Sequence, residues 1–179
     1  MMHPASEDEA ARLAELLHRH NEVIVFAESC TAGLIAATLG RIQGISTCLA
    51  GSAVVYQVET KAQWLGVNRT ALEDSGPVSQ TVSEQMALGV MKQTPQATIA
   101  GSVTGHLGPN APAGQDGVAW SSIARQTSAG VAVTSRVLHL DDALSNATAD
   151  SISVMDLRHV RQIRAVQQVL QFCVEQFSE

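Results

Sequence analysis

The most constraining feature of this sequence is an apolar run, residues 23–27, that passes directly into a short polar turn and a second apolar segment. The run is rich in β-branched residues, which is typical of a buried strand, whereas the alanine-rich residues 34–39 favour a helix. The turn between them, residues 28–33, reads ESCTAG. A strand that leads directly into a helix indicates an α/β unit.

The rest of the chain continues this alternation of helices and strands. Amphipathic patterns predict further helices at residues 6–20, 59–65 and 79–92 and from residue 154 onward. Short apolar runs predict further strands at residues 46–56 and 98–103, with a hairpin at 118–125 and 130–138. We expect Ser6 to cap the first helix and Asn21 to end it. The predicted fold is α/β, a single three-layer α/β/α sandwich with a mixed, mostly parallel sheet.

The composition is that of a globular chain and argues against several classes of protein. Hydrophobic residues make up 45% and charged residues 16% of the 179 residues, which excludes a disordered chain. A net charge of -6 and 3% aromatic residues argue against a nucleic-acid partner. No apolar stretch approaches the roughly 18 residues of a membrane span, and the N-terminal segment is too acidic for a signal peptide. We expect one cytoplasmic domain, residues 1–179, with no membrane partner.

The cysteines and histidines predict neither a disulfide framework nor a metal centre. Three cysteines are an odd number and lie far apart, and the six histidines lack the spacing of metal ligands. Cys30 could be a nucleophile at a helix N-terminus, where its pKa would fall, or a buried structural residue. No nearby histidine-rich segment supplies a base, so the structural interpretation is favoured.

Two hydroxyl residues, Ser29 and Thr31, lie between the predicted strand and the helix that follows it. Backbone N–H groups at a helix N-terminus are unpaired and carry the positive end of the helix dipole. The turn can therefore hold an anion or stabilise an oxyanion. The alternative is that one hydroxyl only caps the helix, and spacing alone favours this alternative.

Lys61 is the second candidate for chemistry, because the chain has only two lysines among its eleven lysines and arginines. A lysine acts as a general base when burial or a cationic neighbour lowers its pKa from about 10.4 toward about 7–8. The alternative places Lys61 on a solvated helix face, paired with Glu59 or Glu73. Spacing alone favours the solvated face.

Two further segments have the composition of an anion site. The glycine-rich residues 103–109 follow a predicted strand and would let the backbone approach a phosphate, but the pattern alone favours an ordinary Pro-Gly connection. Arg158, Arg161 and Arg164 are spaced three apart on the predicted C-terminal helix. They could bind a phosphate, or they could form a solvated helix face.

Five motifs in chain order resemble the CinA C-terminal domain family, the nicotinamide mononucleotide amidohydrolases. They lie at residues 27–33 (A-E-S-C-T-G-G), 56–61 with 65–67 (Y-x-x-E-x-K and L-G-V), 78–89 (V-S-x-x-V-x-x-x-M-A-x-G), 103–109 (V-T-G-x-x-G-P) and 117–120 (G-x-V-W). The late motif D-R-x-x-V-R is matched only by Asp156, Val160 and Arg161. The resemblance spans nearly the whole chain.

The resemblance implies a serine amidohydrolase with a Ser/Lys pair. Ser29 would attack the carboxamide carbon, Lys61 would be its base, and Tyr56 would stand beside them as a third catalytic residue. The implied substrate-binding residues are Thr31, Gly33, Thr104, Gly105 and Arg161, the last as a phosphate partner. The resemblance also implies the sandwich fold, a homo-oligomer and no metal or organic cofactor.

The implied reaction is hydrolysis of a nucleotide substrate, nicotinamide mononucleotide, to nicotinic acid mononucleotide and ammonia. The sequence departs from the family pattern at Ala32, at residues 106–107 and 110–113, and at Leu157, which stands in place of an arginine. These departures leave two alternatives open: a paralogue that binds a nucleotide or a partner protein without hydrolysing it, and an amidase for another carboxamide. We expect residues 1–179 to lack the N-terminal nucleotide-pyrophosphatase domain of the longer family form.

Overall fold

Helices and strands alternate through the first part of the chain, and a hairpin and a long helix follow. The computed structural model describes residues 4–141 and 154–177. The helices are α1 (Pro4–His20), α2 (Leu34–Leu39), α3 (Val58–Leu65), α4 (Arg69–Asp74), α5 (Gln80–Gln93) and α6 (Val154–Glu175), with a short 3-10 helix at Ile45–Thr47. The strands are β1 (Ile24–Glu28), β2 (Leu49–Val54), β3 (Ile99–His106), β4 (Val118–Thr127) and β5 (Gly130–His139).

The five strands form one mixed sheet in the order β2-β1-β3-β4-β5. Strand β1 pairs in parallel with both β2 and β3, whereas β3 with β4 and β4 with β5 pair antiparallel. The mixed sheet is confirmed, but its parallel pairings are half of the total and not the expected majority. The reason is that β4 and β5 form the predicted hairpin, which is closed by only Ser128 and Ala129.

Helices cover both faces of the sheet and complete the predicted three layers. Side chains alternate between the faces along β1, so Ile24 and Phe26 pack with α1, α2 and α6, while Val25 and Ala27 pack with α3, α4 and α5. Because β1 is buried on both faces, its sequence is a continuous apolar run without polar alternation.

Several boundaries differ from the sequence prediction for local reasons. Helix α1 begins before Ser6, which is fully buried inside the helix and is not its cap. Asn21 ends the helix as expected, with a φ of 54° in the left-handed region. Helix α4 was not predicted; the side chain of Asn68 caps it by accepting a hydrogen bond from Thr70 N–H at 2.8 Å.

The strand order places a crevice at one end of the sheet. From β1 the chain moves outward to β2 and then crosses back to β3 on the other side of β1. In open α/β sheets, ligands bind at the carboxyl ends of the strands where the strand order reverses. This topology therefore points to the ends of β1 and β3. None of the helices described is long and apolar enough to cross a membrane.

Candidate active site

A cleft of about 250 Å³ lies at the carboxyl ends of β1, β2 and β3. The turn after β1, the segment after β2, the connection after β3 and the start of α6 line it. Five of the eight site residues expected from the sequence line this cleft: Ser29, Tyr56, Lys61, Thr104 and Gly105. The other three, Thr31, Gly33 and Arg161, do not.

Ser29 and Lys61 form a buried hydrogen-bonded pair at the base of this site. Lys61 Nζ donates to Ser29 Oγ at 2.8 Å and to the backbone oxygen of Val55 at 2.8 Å. Lys61 is 2% exposed, so the solvated-face alternative is wrong. Burial lowers the pKa of Lys61 to about 8, because the charged form loses its hydration. A substantial fraction of the lysine is therefore neutral near physiological pH, and its lone pair can accept the serine proton.

The geometry of α3 explains how a lysine reaches the interior. Lys61 and Leu65 lie one turn apart and are the buried residues of this eight-residue helix. Gly66 ends the helix with a φ of 68°, and its N–H donates to the Ala62 oxygen at 3.0 Å. Because β2 leads into α3 after three residues, the Lys61 amine returns to the end of β2 and bonds Val55.

Glu28, the last residue of β1, organises the turn that carries Ser29. Its side chain is fully buried. The carboxylate accepts five hydrogen bonds of 2.8 to 3.0 Å, from the hydroxyls of Thr31 and Ser52 and the N–H groups of Gly33, Ile35 and Ala36. Glu28 therefore caps α2, a role that spacing had favoured for Ser29 or Thr31. The only sequence signal for it is a charged residue at the end of a buried strand.

Thr31 and Gly33, which were expected to bind substrate, contact Glu28 and do not line the cleft. The Thr31 hydroxyl and the Gly33 N–H are both committed to Glu28, and Thr31 is 1% exposed. Both residues therefore stabilise the turn after β1. Ala32, which replaces a family glycine, adopts a φ of 53°. A left-handed alanine costs roughly 1–2 kcal/mol, which the hydrogen bonds of Glu28 offset.

Replacing Glu28 with glutamine is expected to lower the free energy of unfolding by about 3 kcal/mol. The reason is that the NH₂ group of the glutamine side chain would face N–H and O–H groups, which are donors and cannot accept its hydrogen bonds. Urea unfolding measures this change. Glu73→Gln, at an exposed position, is the matched control and should stay within about 0.5 kcal/mol of the wild type. Equal effects of the two substitutions would show that Glu28 does not hold the turn.

Gly105 presents its backbone to the cleft. The Val103 oxygen accepts a hydrogen bond from the Ser29 N–H at 3.0 Å. Along a strand, the N–H and C=O groups of successive residues point alternately to one edge and to the other. The N–H of Gly105 therefore points to the same edge of β3, beyond the residue at which β1 ends. A Cβ at Gly105 would lie 2.5 Å from Ala119 Cβ and 3.1 Å from Cys30 Sγ, so this position requires glycine.

Thr104 and Cys30 shape the cleft without supplying a nucleophile. The Thr104 hydroxyl donates to the Pro77 oxygen at 2.8 Å and so ties β3 to the segment before α5. Cys30 is 3% exposed, and burial raises the pKa of its thiol to about 12. The thiol is therefore protonated at physiological pH, in agreement with the structural interpretation.

Arg158 reaches the cleft, whereas the expected phosphate partner, Arg161, does not. Arg161 is 4% exposed and pairs with Asp141 at 2.6 Å and Asp116 at 2.9 Å. These two carboxylates neutralise its charge, and Arg161 does not line the cleft. Arg158 lines the cleft, and its Nη2 donates to Tyr56 Oη at 2.7 Å. The Tyr56 hydroxyl is thus bonded to Arg158 rather than to Ser29 or Lys61.

The part of the chain that the structure describes contains no group of three or more His, Cys, Asp or Glu side chains suited to a metal ion. Of the residues described in the structure, one histidine, His106, and no Asp or Glu line the cleft. Its polar side chains carry three hydroxyls, an amine, a guanidinium, an imidazole and an amide. Such a set suits proton transfer and anion binding.

Relatives of the chain match it over slightly more than half of its length. The "CinA-like protein" of Trichormus variabilis is 45% identical over 101 residues, which are 56% of this chain and 24% of that protein. The "CinA-like protein" of Myxococcus xanthus is 40% identical over 113 residues, 63% of this chain and 27% of that protein. The chain thus matches about a quarter of the length of these relatives.

Solved structures match the fold along almost the full chain. The competence/damage inducible protein CihA from Agrobacterium tumefaciens has a TM-score of 0.80 at 25% identity, over 96% of this chain and 95% of that one. The competence damage-inducible protein A from Klebsiella pneumoniae has a TM-score of 0.82 at 22% identity, over 97% and 98%. The family model described as "CinA C-terminal domain" matches residues 6–162. The chain therefore belongs to the CinA C-terminal domain family.

Proposed function

We propose that this protein is a serine amidohydrolase that converts nicotinamide mononucleotide and water to nicotinic acid mononucleotide and ammonia. The observation that carries the proposal is the buried contact of 2.8 Å between Lys61 Nζ and Ser29 Oγ beside an open cleft. A nucleophile within hydrogen-bond reach of a base with a lowered pKa is the arrangement of covalent amide hydrolysis. The family resemblance suggests the substrate.

In the first half of the reaction, neutral Lys61 accepts the proton of Ser29 as Oγ attacks the carboxamide carbon. The carbonyl oxygen becomes an oxyanion, and the Gly105 N–H is the backbone donor that faces this edge of the cleft. The tetrahedral intermediate then breaks its C–N bond. Lys61 returns the proton to the departing nitrogen, which leaves as ammonia, and the acyl group stays on Ser29.

In the second half, water attacks the acyl carbon and Lys61 accepts its proton. The ester bond to Ser29 Oγ then breaks, and Lys61 returns the proton to the serine. The product is a carboxylic acid, so one water is consumed for each ammonia released. Val55, whose oxygen holds Lys61 Nζ at 2.8 Å, keeps the base beside Ser29 in both halves.

Ammonia release from the purified chain tests the proposed substrate. Nicotinamide mononucleotide should yield equal amounts of ammonia and nicotinic acid mononucleotide, the latter identified by mass spectrometry. A panel of other carboxamides, including glutamine and asparagine, serves as the comparison. If only another carboxamide is hydrolysed, the proposed amidase reaction would stand and the proposed substrate would be wrong. If folded protein releases no ammonia from any carboxamide of the panel, the result would contradict an amidase and favour a paralogue that only binds its ligand.

The pH dependence tests Lys61 as the base. Because its pKa is lowered to about 8, kcat/KM should rise about tenfold per pH unit below pH 8 and level off above it. The value of kcat/KM rises with pH because Lys61 must be neutral in the free enzyme to accept the serine proton. Initial rates from pH 6 to 9.5 measure the profile. A profile that is flat from pH 6 would exclude a lysine base with this pKa.

A further inference from the structure

We infer that Arg158 makes the cleft selective for substrates that carry a phosphate monoester. The inference rests on the proposed amidase function and names the residue that recognises the substrate class. Arg158 lies near the start of α6 and lines the cleft that also contains Ser29. Its guanidinium joins two walls of the cleft, because Nη1 donates to the Gly108 oxygen at 2.6 Å and Nη2 to Tyr56 Oη at 2.7 Å.

Among the residues that the structure describes, no carboxylate lines the cleft beside Arg158. Both of its acceptors are neutral, and the salt bridges formed by the side chains that the structure describes do not include Arg158. Other arginines do pair with carboxylates, namely Arg19, Arg41, Arg69, Arg125, Arg136 and Arg161. A half-buried cation that is bonded to neutral acceptors favours an anionic ligand, and the planar guanidinium matches the oxygens of a phosphate.

Arg161 gives the contrast on the same helix. It lies one turn further along α6, and Asp116 and Asp141 neutralise its charge. Its Nη1 donates to the Leu107 oxygen at 3.2 Å, so it holds the wall whose next residue, Gly108, bonds Arg158. Arg161 is thus a positioning residue for this wall. Arg158 is the cation that the cleft presents to a ligand.

The cleft therefore offers a ligand two different groups, the Ser29 hydroxyl and the Arg158 guanidinium. A ligand that spans it can offer a carboxamide to Ser29 and an anion to Arg158. At the pH where Lys61 is neutral, Arg158 is the permanent positive charge among the lining residues. We therefore expect nicotinamide mononucleotide to be preferred over nicotinamide riboside, which has the same amide and sugar but no phosphate.

The kinetic experiment compares both amides with the wild type and three variants. The wild type should prefer the mononucleotide by roughly 100-fold in kcat/KM. Arg158→Met should remove most of this preference by raising KM for the mononucleotide, with the riboside unaffected. Arg158→Lys, which keeps the charge but not the planar fork, should retain a roughly tenfold preference. Arg164→Met, outside the cleft, should match the wild type. An unchanged preference, or equal losses for both substrates, would overturn the inference.

A binding experiment separates this inference from the proposed function. If neither amide is hydrolysed, ribose 5-phosphate is titrated calorimetrically into the wild type and Arg158→Met. Binding that weakens at least tenfold in the variant, with an unchanged thermal unfolding midpoint, would support Arg158 although the amidase proposal fails. Binding that is equal in both proteins, or absent from both, would overturn the role of Arg158.

Discussion

Replacing Ser29 with alanine is expected to lower kcat for ammonia release by at least roughly 10⁴-fold, because the acyl-enzyme can no longer form. Two neighbouring residues of the cleft are not expected to substitute for it: the Cys30 thiol is held protonated by burial, and the Thr104 hydroxyl is bonded to the Pro77 oxygen. Catalysis that remains would come only from the Gly105 donor and substrate binding. Single-turnover assays with nicotinamide mononucleotide measure the effect.

Stability and covalent labelling separate lost chemistry from lost structure in Ser29→Ala. The turn is held by Glu28 and not by the Ser29 hydroxyl, so the free energy of unfolding should change by no more than about 1 kcal/mol. Ser46→Ala, an exposed serine outside the cleft, is the matched control. Acid-quenched wild-type enzyme should carry an acyl adduct on Ser29 by mass spectrometry. Wild-type turnover by Ser29→Ala would refute the proposed nucleophile.

The sequence predicts the elements around the site well because their signals are local. The run at 23–27, the alanine-rich helix and the hairpin each carry a period or a turn that needs no distant partner. The parallel pairings and the burial of Lys61 are different, because both depend on how α3 returns to the end of β2. Residue type and spacing along the chain do not reveal this tertiary arrangement. The resemblance to the CinA C-terminal domain family predicts the Ser29–Lys61 pair, and in the structure the two side chains are hydrogen-bonded.

The roles of Glu28, Arg158 and Arg161 could not be assigned from the sequence for the same reason. A carboxylate that accepts five hydrogen bonds becomes visible only when the turn folds around it. Arg158 and Arg161 lie about 60° apart on a helix face and one turn apart along it. Which of them reaches the cleft depends on where α6 lies along the sheet, and this placement puts Asp116 and Asp141 at Arg161.

Replacing Lys61 with methionine is expected to lower kcat at least roughly 10³-fold and, at the same time, to stabilise the fold. The catalytic loss follows because Lys61 is the base that contacts Ser29 Oγ in the part of the chain that the structure describes. The stabilisation follows from burial: holding the pKa near 8 instead of 10.5 costs the folded state about 3 kcal/mol at pH 7. Loss of the donor to Val55 offsets about 1 kcal/mol. The net gain should be about 2 kcal/mol.

The dependence of this gain on pH identifies its origin. Between pH 8 and 10.5 the unfolded wild type binds a proton that the folded protein has lost, so wild-type stability rises with pH over this interval. The advantage of Lys61→Met should therefore be full at pH 7 and disappear by about pH 10.5. Urea unfolding at both pH values measures it, with Lys92→Met at an exposed position as the control. An advantage that is independent of pH would mean that methionine acts through packing alone, and a destabilised variant would mean that Lys61 supports the fold as well as the reaction.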